Sequence, residues 1–211
     1  MGAITPLEPS SKRPNHLSSR SPADIVLARD RDLGIRRMRD EEDDYQLMSR
    51  WLNDERVKGY WHGDTEPFPM DRILEKYGPR ARGEVPTTPC FITLEDRPIG
   101  YIQFYRTDDW SEWRDQMGLD PRADRWALDV VIGRPDLWDQ GLGTRSVKML
   151  LEYLFTHEAA AEVVLSPLAS NMRAVRCYEK AGFHKVRLVP NGELHDGEWR
   201  DAWLMAVRRG N

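Results

Sequence analysis

The stretch Trp138-Asp139-Gln140-Gly141-Leu142-Gly143-Thr144 indicates how this chain of 211 residues is built. It follows a strand-like apolar run at 126–132, and helical spacing resumes behind it at Val147, Leu150, Leu151 and Leu154. The two glycines let the backbone approach a ligand closely, and the first turn of a helix leaves its N–H groups unpaired. The stretch therefore predicts a strand–turn–helix unit whose backbone can bind phosphate.

The glycine turn matches neither of two well-known phosphate-binding motifs. A P-loop ends in Gly-Lys-Ser/Thr and a dinucleotide-binding turn has a third glycine, and this stretch has neither feature. An ordinary strand-to-helix turn would show the same spacing. The turn alone leaves both interpretations open.

Composition narrows the class of protein. Hydrophobic residues make up 40% of the chain, and its length fits one domain with a packed core. The formal net charge of −4 argues against nucleic acid as a partner. No apolar run has transmembrane length, and the first residues lack the apolar core of a secretory signal. We therefore expect a cytoplasmic protein that binds no membrane.

The order of predicted elements is mixed α/β. Residues 1–24 are polar and rich in Ser and Pro, which predicts a flexible tail before a single domain at 25–211. Strands are predicted at 33–38, 89–94, 98–105, 125–132, 163–165, 183–189 and 199–207. Besides the helix after the glycine turn, helices are predicted at 43–52, 70–82 and 171–180. The polar segments 107–124 and 191–198 are predicted to be loops.

Several further motifs occur in one order along the chain. They lie at 51–57, 98–101, 128–129, 141–144, 171–183 and 193–198. Together they resemble the GNAT superfamily of acetyl-coenzyme-A-dependent N-acetyltransferases, and within it the aminoglycoside 6′-N-acetyltransferases. The resemblance implies a GNAT fold, with a central twisted mixed sheet that is splayed between two parallel strands and flanked by helices.

The resemblance also implies a binding site for acetyl-coenzyme A in the splay. The pyrophosphate would rest on the glycine turn, with Trp138 where the superfamily often has Arg or Gln. The backbone donors of that turn belong to Asp139, Gln140, Gly141, Leu142, Gly143 and Thr144. The pantetheine arm would pair with the strand edge at Val130, Val131 and Ile132. Asn171 would bond the amides of the arm, and a plain helix N-cap explains this residue equally well.

Acetyl transfer to an amine sets the chemical requirements. It needs a neutral nitrogen, a donor for the carbonyl oxygen and a proton for the departing thiolate. A backbone N–H beside Val131 can serve the oxygen. Tyr178 stands where the family places a general acid, and the alternative is a core tyrosine. Asp129 is a carboxylate in an apolar strand. The resemblance places it at the acceptor amine, and the alternative is a salt bridge with Arg125.

A polycationic acceptor calls for an acidic site with aromatic edges. The predicted substrate-binding residues are Trp61, Asp109, Trp110, Asp129, Glu193 and Asp196. Some of these acidic residues can equally belong to a solvated surface. The two cysteines and five scattered histidines form no metal-binding pattern, so we predict no metal.

The sequence therefore predicts an acetyl-coenzyme-A-dependent N-acetyltransferase that works by direct attack. Its acceptor would be a primary amine of a small polycation, with the 6′-amine of aminoglycosides favoured, as in antibiotic resistance. The alternatives are an acyltransferase of siderophore biosynthesis, a lysine or polyamine N-acyltransferase, and a non-catalytic coenzyme-A-binding protein. We expect a monomer or a homodimer.

Overall fold

A computed structural model describes residues 25–61, 67–195 and 197–210, so the predicted tail at 1–24 lies outside the described residues. The strands are β1 (Val26–Asp30), β2 (Leu33–Arg37), β3 (Thr87–Leu94), β4 (Arg97–Arg106), β5 (Arg125–Ile132), β6 (Glu162–Leu165), β7 (His184–His195) and β8 (Glu198–Arg208). The helices are α1 (Glu42–Leu52), α2 (Glu55–Trp61), α3 (Met70–Ala81), α4 (Ser111–Gln116), α5 (Leu142–Thr156) and α6 (Met172–Ala181). This element order confirms the predicted mixed α/β class.

The strands form one mixed sheet in the order β1-β2-β3-β4-β5-β6-β8-β7. Its neighbouring strands are antiparallel except β5 and β6, which run parallel. The parallel register extends only from Arg125 opposite Glu162 to Ala127 opposite Val164. Beyond Ala127 the two strands separate, so the rest of β5 has a free edge on that side. The predicted splay between two parallel strands is confirmed.

Helices cover both faces of the sheet. Alternation along β3 and β4 sends Ile92 and Ile102 into the core beneath α5 and α6, and Phe91 and Tyr101 into the core beneath α1 and α3. On the second face Trp51 of α1 meets Phe91 edge to face, with ring centroids 5.2 Å apart. The splay therefore lies in a sheet that is held rigid from both sides.

Three segments for which the sequence predicts no helix or strand are more regular than their composition indicates. After α1 ends with the cap at Asn53, the chain forms α2, and the Asp54 carboxylate accepts from the Arg56 N–H at 2.9 Å at the start of that helix. The predicted loop 107–124 contains a 3₁₀ turn at Thr107–Trp110 and then α4. The predicted loop 191–198 is mostly strand, because its backbone pairs with β8 as far as His195 opposite Glu198. Tertiary pairing overrides the polar composition there.

The helices within 25–61, 67–195 and 197–210 all lack the combination of length and apolar composition that crossing a membrane requires.

A buried carboxylate fastens α1 to the sheet. Asp44 is fully buried and accepts hydrogen bonds from the Arg36 guanidinium at 2.7 and 2.8 Å and from Arg39, at 2.8 Å from its N–H and 2.9 Å from its guanidinium. Burial opposes the charge of Asp44, but these hydrogen bonds outweigh it and hold the pKa of the carboxyl below its usual value.

Asp44→Ala is expected to lower the free energy of unfolding by about 3 kcal/mol, because it leaves two arginines facing a buried site without their anion. Chemical denaturation at neutral pH measures the change. The matched control is Asp43→Ala, which removes the exposed carboxylate next to it and should change stability little. Because the pKa of Asp44 is lowered on folding, the wild type should lose this advantage on acidification. Equal stability of the two variants would contradict the anchoring role.

Candidate active site

A cleft of about 770 Å³ opens where β5 and β6 separate. Its walls are the free edge of β5, the start of α5, one face of α6, the end of β6 and the end of β7, with further side chains from α2, β4 and α4. Most of the predicted site residues line it: Trp61, Asp129, Val130, Val131, Ile132, Trp138, Asp139, Gly141, Leu142, Gly143, Thr144, Asn171, Tyr178 and Glu193. The fold thus brings together residues from distant parts of the chain, as a ligand site requires.

The glycine turn presents backbone donors to this cleft. Gly141 has φ 77° and Asp139 has φ 60°, so the backbone enters α5 through left-handed conformations. The N–H of Arg145 bonds the Gly141 carbonyl at 3.0 Å and so closes the first turn of the helix. The amides before Arg145 have no carbonyl one turn earlier in the helix to bond. A helix start of this kind can bind an anion, and the phosphate-binding role of this turn stays a prediction.

Trp138 ties the turn to the end of β5. Its indole Nε1 donates to the Ile132 carbonyl at 2.8 Å, and the Arg173 guanidinium stacks 4.0 Å from its ring centroid. Arg173 also pairs with Asp139 at 3.4 Å. The departure from Arg or Gln at position 138 therefore gives a side chain that orders the turn, while a cation from α6 lies over it.

The edge of β5 is polar where it faces the splay. The Val131 carbonyl lies against Gly100 of β4, so strand alternation turns the backbone groups of Val130 and Ile132 toward the cleft. The Ile132 carbonyl is occupied by Trp138. The edge thus offers the N–H groups of both residues and the Val130 carbonyl, whereas Val131 contributes its side chain.

Two further cations line the cleft on α6. Arg176 and Lys180 follow Arg173 at helical spacing and share its face. Within the described part of the chain, neither Arg176 nor Lys180 forms an ion pair. The sequence analysis assigned phosphate binding to backbone donors alone and missed them. The spacing of positions 173, 176 and 180 behind the glycine turn was the available signal.

Asp129 is held by a fixed chain of hydrogen bonds. The Gln103 side chain donates from Nε2 to Asp129 Oδ2 at 2.7 Å. Its Oε1 accepts from the Arg80 guanidinium at 2.7 Å and from the Tyr101 hydroxyl at 2.8 Å, which fixes the orientation of the amide. Burial raises the pKa of Asp129, and the bond from Gln103 and the charge of Arg80 partly oppose that rise.

The alternative role for Asp129, a salt bridge with Arg125, is wrong. Arg125 pairs with Glu162 on β6 instead. Asp129 is therefore a carboxylate at the open end of β5, inside the cleft, with no arginine bonded directly to it among the described residues.

The model of the protein family described as "Acetyltransferase (GNAT) domain" matches residues 40–190 of the chain. The chain belongs to the GNAT acetyltransferase family. Aminoglycoside N(6′)-acetyltransferase type 1 of Klebsiella pneumoniae is 31% identical over 157 residues, which are 72% of this chain and 75% of that protein.

Solved structures agree with this assignment. AAC(6′)-Ib in complex with ribostamycin and coenzyme A superposes with a TM-score of 0.70 at 28% identity, over 84% of this chain and 94% of that one. Spermidine N-acetyltransferase from Vibrio cholerae, in complex with coenzyme A and spermine, superposes with a TM-score of 0.65 over 85% of this chain and 96% of that one. At 18% identity this second likeness shows the fold alone.

Both predicted interpretations of Asn171 and of Tyr178 fit this GNAT cleft. The Asn171 side chain accepts from the Ala174 N–H at 3.1 Å, so it is an N-cap of α6 and also lines the cleft. Tyr178 packs edge to face on Phe183 in the core, with centroids 5.9 Å apart, and lines the cleft as well. Burial raises the pKa of Tyr178 above its ordinary value, which keeps the phenol protonated.

Only some of the residues predicted to bind the acceptor substrate lie in the cleft. Trp61 lines the cleft and donates from its indole to the Tyr77 hydroxyl at 3.1 Å. Asp109 and Trp110 lie in the 3₁₀ turn outside the lining, and Trp110 packs on Tyr105 with centroids 5.8 Å apart. Trp110 therefore supports Tyr105, which does line the cleft.

Two other predicted residues do not contribute to the described lining. The Gln140 side chain bonds the Asp136 carbonyl at 3.1 Å on the exposed side of the turn, so only its backbone remains available. Asp196 lies outside the described residues.

Glu193 is the second carboxylate of the cleft. Its Oε1 accepts from the Ser166 hydroxyl and from the Trp113 indole, the latter at 3.4 Å. Burial raises the pKa of Glu193 to about 7, and the nearby charge of Asp129 adds to the rise. The sequence analysis named Glu193 as a candidate, and its binding role stays a prediction; it did not name Gln103, which was detectable as a polar residue in an apolar strand.

Proposed function

We propose that this protein transfers an acetyl group from acetyl-coenzyme A to a primary amine of a small polycation, with the 6′-amine of aminoglycosides as the favoured acceptor. One observation carries the proposal: the buried carboxylate of Asp129 lies in the same cleft as a free strand edge and an anion-binding glycine turn. The relationship to the Klebsiella enzyme supports the acceptor class. The neighbour that binds ribostamycin and coenzyme A supports both ligands.

The cofactor would lie along the splay. Its pyrophosphate would bind the amides at the start of α5, with Arg176 and Lys180 as cationic support. The pantetheine arm would pair with the free groups of Val130 and Ile132 as an added strand. Since the Asn171 side-chain oxygen is used in the N-cap, its NH₂ group remains to donate to the arm.

The chemistry then follows from Asp129. The carboxylate binds the acceptor ammonium and takes one of its protons, and its raised pKa brings its basicity closer to that of the amine. The neutral nitrogen attacks the thioester carbonyl, and strand-edge N–H groups stabilise the oxyanion. As the intermediate collapses, the carbon–sulfur bond breaks and the nitrogen gives up a second proton to water, which leaves the neutral amide. The thiolate leaves and takes a proton from Tyr178 or from water.

A lysine or polyamine acceptor is the second candidate, because the carboxylates Asp129 and Glu193 would attract any compound with more than one ammonium group.

A panel of amines tests the proposed activity. Release of coenzyme A thiol is expected with kanamycin and ribostamycin, with lower kcat/KM for spermidine and lysine, because the cleft combines acidic groups with the aromatic edges that suit an aminosugar. Proton NMR of the product should place the acetyl group on the 6′-nitrogen. Spermidine as the best acceptor would favour the second candidate. Calorimetric binding of acetyl-coenzyme A without turnover of any amine would leave a non-catalytic binding protein.

Asp129→Asn is expected to lower kcat by about 10²- to 10⁴-fold, the usual contribution of a general base. Asparagine keeps the shape and the acceptor oxygen for Gln103, so calorimetry should find acetyl-coenzyme A affinity within about twofold of wild type. Asp124→Asn, which changes an exposed carboxylate just before the same strand, is the control. Wild-type turnover in Asp129→Asn would remove this residue from the mechanism.

The double variant Arg176→Ala/Lys180→Ala is expected to weaken acetyl-coenzyme A binding by about tenfold at low salt, since two cations beside the phosphates are lost. The difference from wild type should shrink as salt is added. Calorimetric titration measures both effects, with Lys148→Ala on the exposed face of α5 as the control. A salt-independent loss would mean that the two side chains act through packing.

A further inference from the structure

We propose that Glu193 is a specificity-determining residue that binds a second ammonium group of the acceptor while Asp129 faces the reacting amine. The inference rests on the proposed function and narrows its acceptor to small diamines and polyamines. Both carboxylates line one cleft, one from each side of the splay: Asp129 on β5 and Glu193 on β7.

The position of Glu193 is fixed from two other elements. Ser166 follows the last residue of β6 and donates its hydroxyl to Oε1, and Trp113 of α4 reaches the same oxygen with its indole. Both bonds are made to one oxygen. Within the described ranges Oε2 has no hydrogen-bond partner, so one carboxylate oxygen remains for a ligand.

The two carboxylates are electrostatically close. Burial raises the pKa of Tyr105 well above its ordinary value, and the charges of Asp129 and Glu193 are its next two causes. Tyr105 lines the same cleft as Asp129 and Glu193, so both negative charges act on this one phenol. A dication in this space would meet one carboxylate with each ammonium, which offsets the cost of enclosing two like charges.

Among the described residues, no cation of the surrounding elements bonds directly to Asp129 or to Glu193. Arg200 stands opposite Glu193 on β8, but it is exposed and pairs with Glu198 at 3.2 Å. Arg114 of α4 pairs with Asp115 and Asp108. On α3, Arg80 bonds Gln103, and Lys76 acts on Asp129 only through its charge in the described contacts. The two carboxylates would therefore attract a cationic acceptor, whereas an acceptor with its own carboxylate would be repelled.

A structural role is the competing explanation, because Glu193 also joins α4 to the end of β6. Glu193→Gln separates the two. The amide oxygen keeps the acceptor for Ser166 and Trp113, and only the negative charge is lost. Glu198→Gln is the matched control, since it removes an exposed charge from the same hairpin and outside the cleft.

The experiment compares ribostamycin, which has several amines, with an aminosugar that carries a single primary amine. Glu193→Gln is expected to lower kcat/KM for ribostamycin by about tenfold to a hundredfold, mainly through KM, because a charge-assisted contact is lost. The value for the monoamine should stay within about twofold of wild type. Glu198→Gln should leave both acceptors unchanged.

A pH series on the wild type gives a second readout that needs no variant. With the pKa of Glu193 near 7, its ionised fraction grows about tenfold between about pH 6 and pH 8, and affinity for ribostamycin should rise accordingly. Asp129, Tyr105, His195 and Arg200 also face this region, and all four remain in Glu193→Gln. The part of the rise that disappears in that variant belongs to Glu193.

The possible results distinguish a structural role of Glu193, a failure of the proposed function and a failure of the second ammonium site. An equal loss for both acceptors, with a lower Tm, would mean that Glu193 only holds α4 in place. If the wild type acetylates neither acceptor, the proposed function fails, and calorimetry with coenzyme-A-loaded protein still measures ribostamycin binding. Weaker binding in Glu193→Gln would then support the second ammonium site, and equal binding in both proteins would overturn it.

Discussion

The brief parallel pairing of β5 with β6 is the constraint on which the site depends. It ends at Ala127, after which β5 keeps β4 on one side and has an open edge on the other. Backbone groups at such an edge must find partners in water or in a ligand. The packing of helices on both faces holds the two strands apart, so the opening is part of the folded state. The candidate active-site cleft is this opening, lined by side chains of the surrounding elements.

Two buried carboxylates, Asp44 and Asp129, have pKa values shifted in opposite directions, because their contacts with arginine differ. Asp44 is enclosed with two arginines bonded directly to it, so its pKa falls and it acts as a structural anchor. Arg80 is connected to Asp129 only through the Gln103 amide. The cost of burying the charge therefore outweighs the favourable contacts, and the pKa of Asp129 rises. An amide placed between cation and anion therefore keeps a carboxylate oriented without neutralising it. That condition would suit the proposed role of Asp129, which is to accept a proton from the amine.

Periodicity and turn chemistry were sufficient for much of the fold. The alternating strands, the helix behind Gly141 and the cap at Asn171 are local features, and each is present. The errors concern segments whose structure is imposed from outside. Residues 191–195 extend as a strand because β8 offers hydrogen bonds, and α4 forms where Trp113 can reach Ser166 and β7. A polar composition carries no information about such distant partners.

The same distinction holds for the site. Asp129 and Gly141 could be named as candidates because each breaks a local pattern, whereas the contact of Arg80 with Gln103 exists only once α3 packs against β4. The indole of Trp138 shows what such tertiary contacts produce. By bonding the Ile132 carbonyl beneath a stacked Arg173, it joins the glycine turn to the strand edge as one preorganised unit. The turn and the strand edge are already ordered in the folded protein. Binding a long flexible cofactor would therefore cost little additional conformational entropy of the protein.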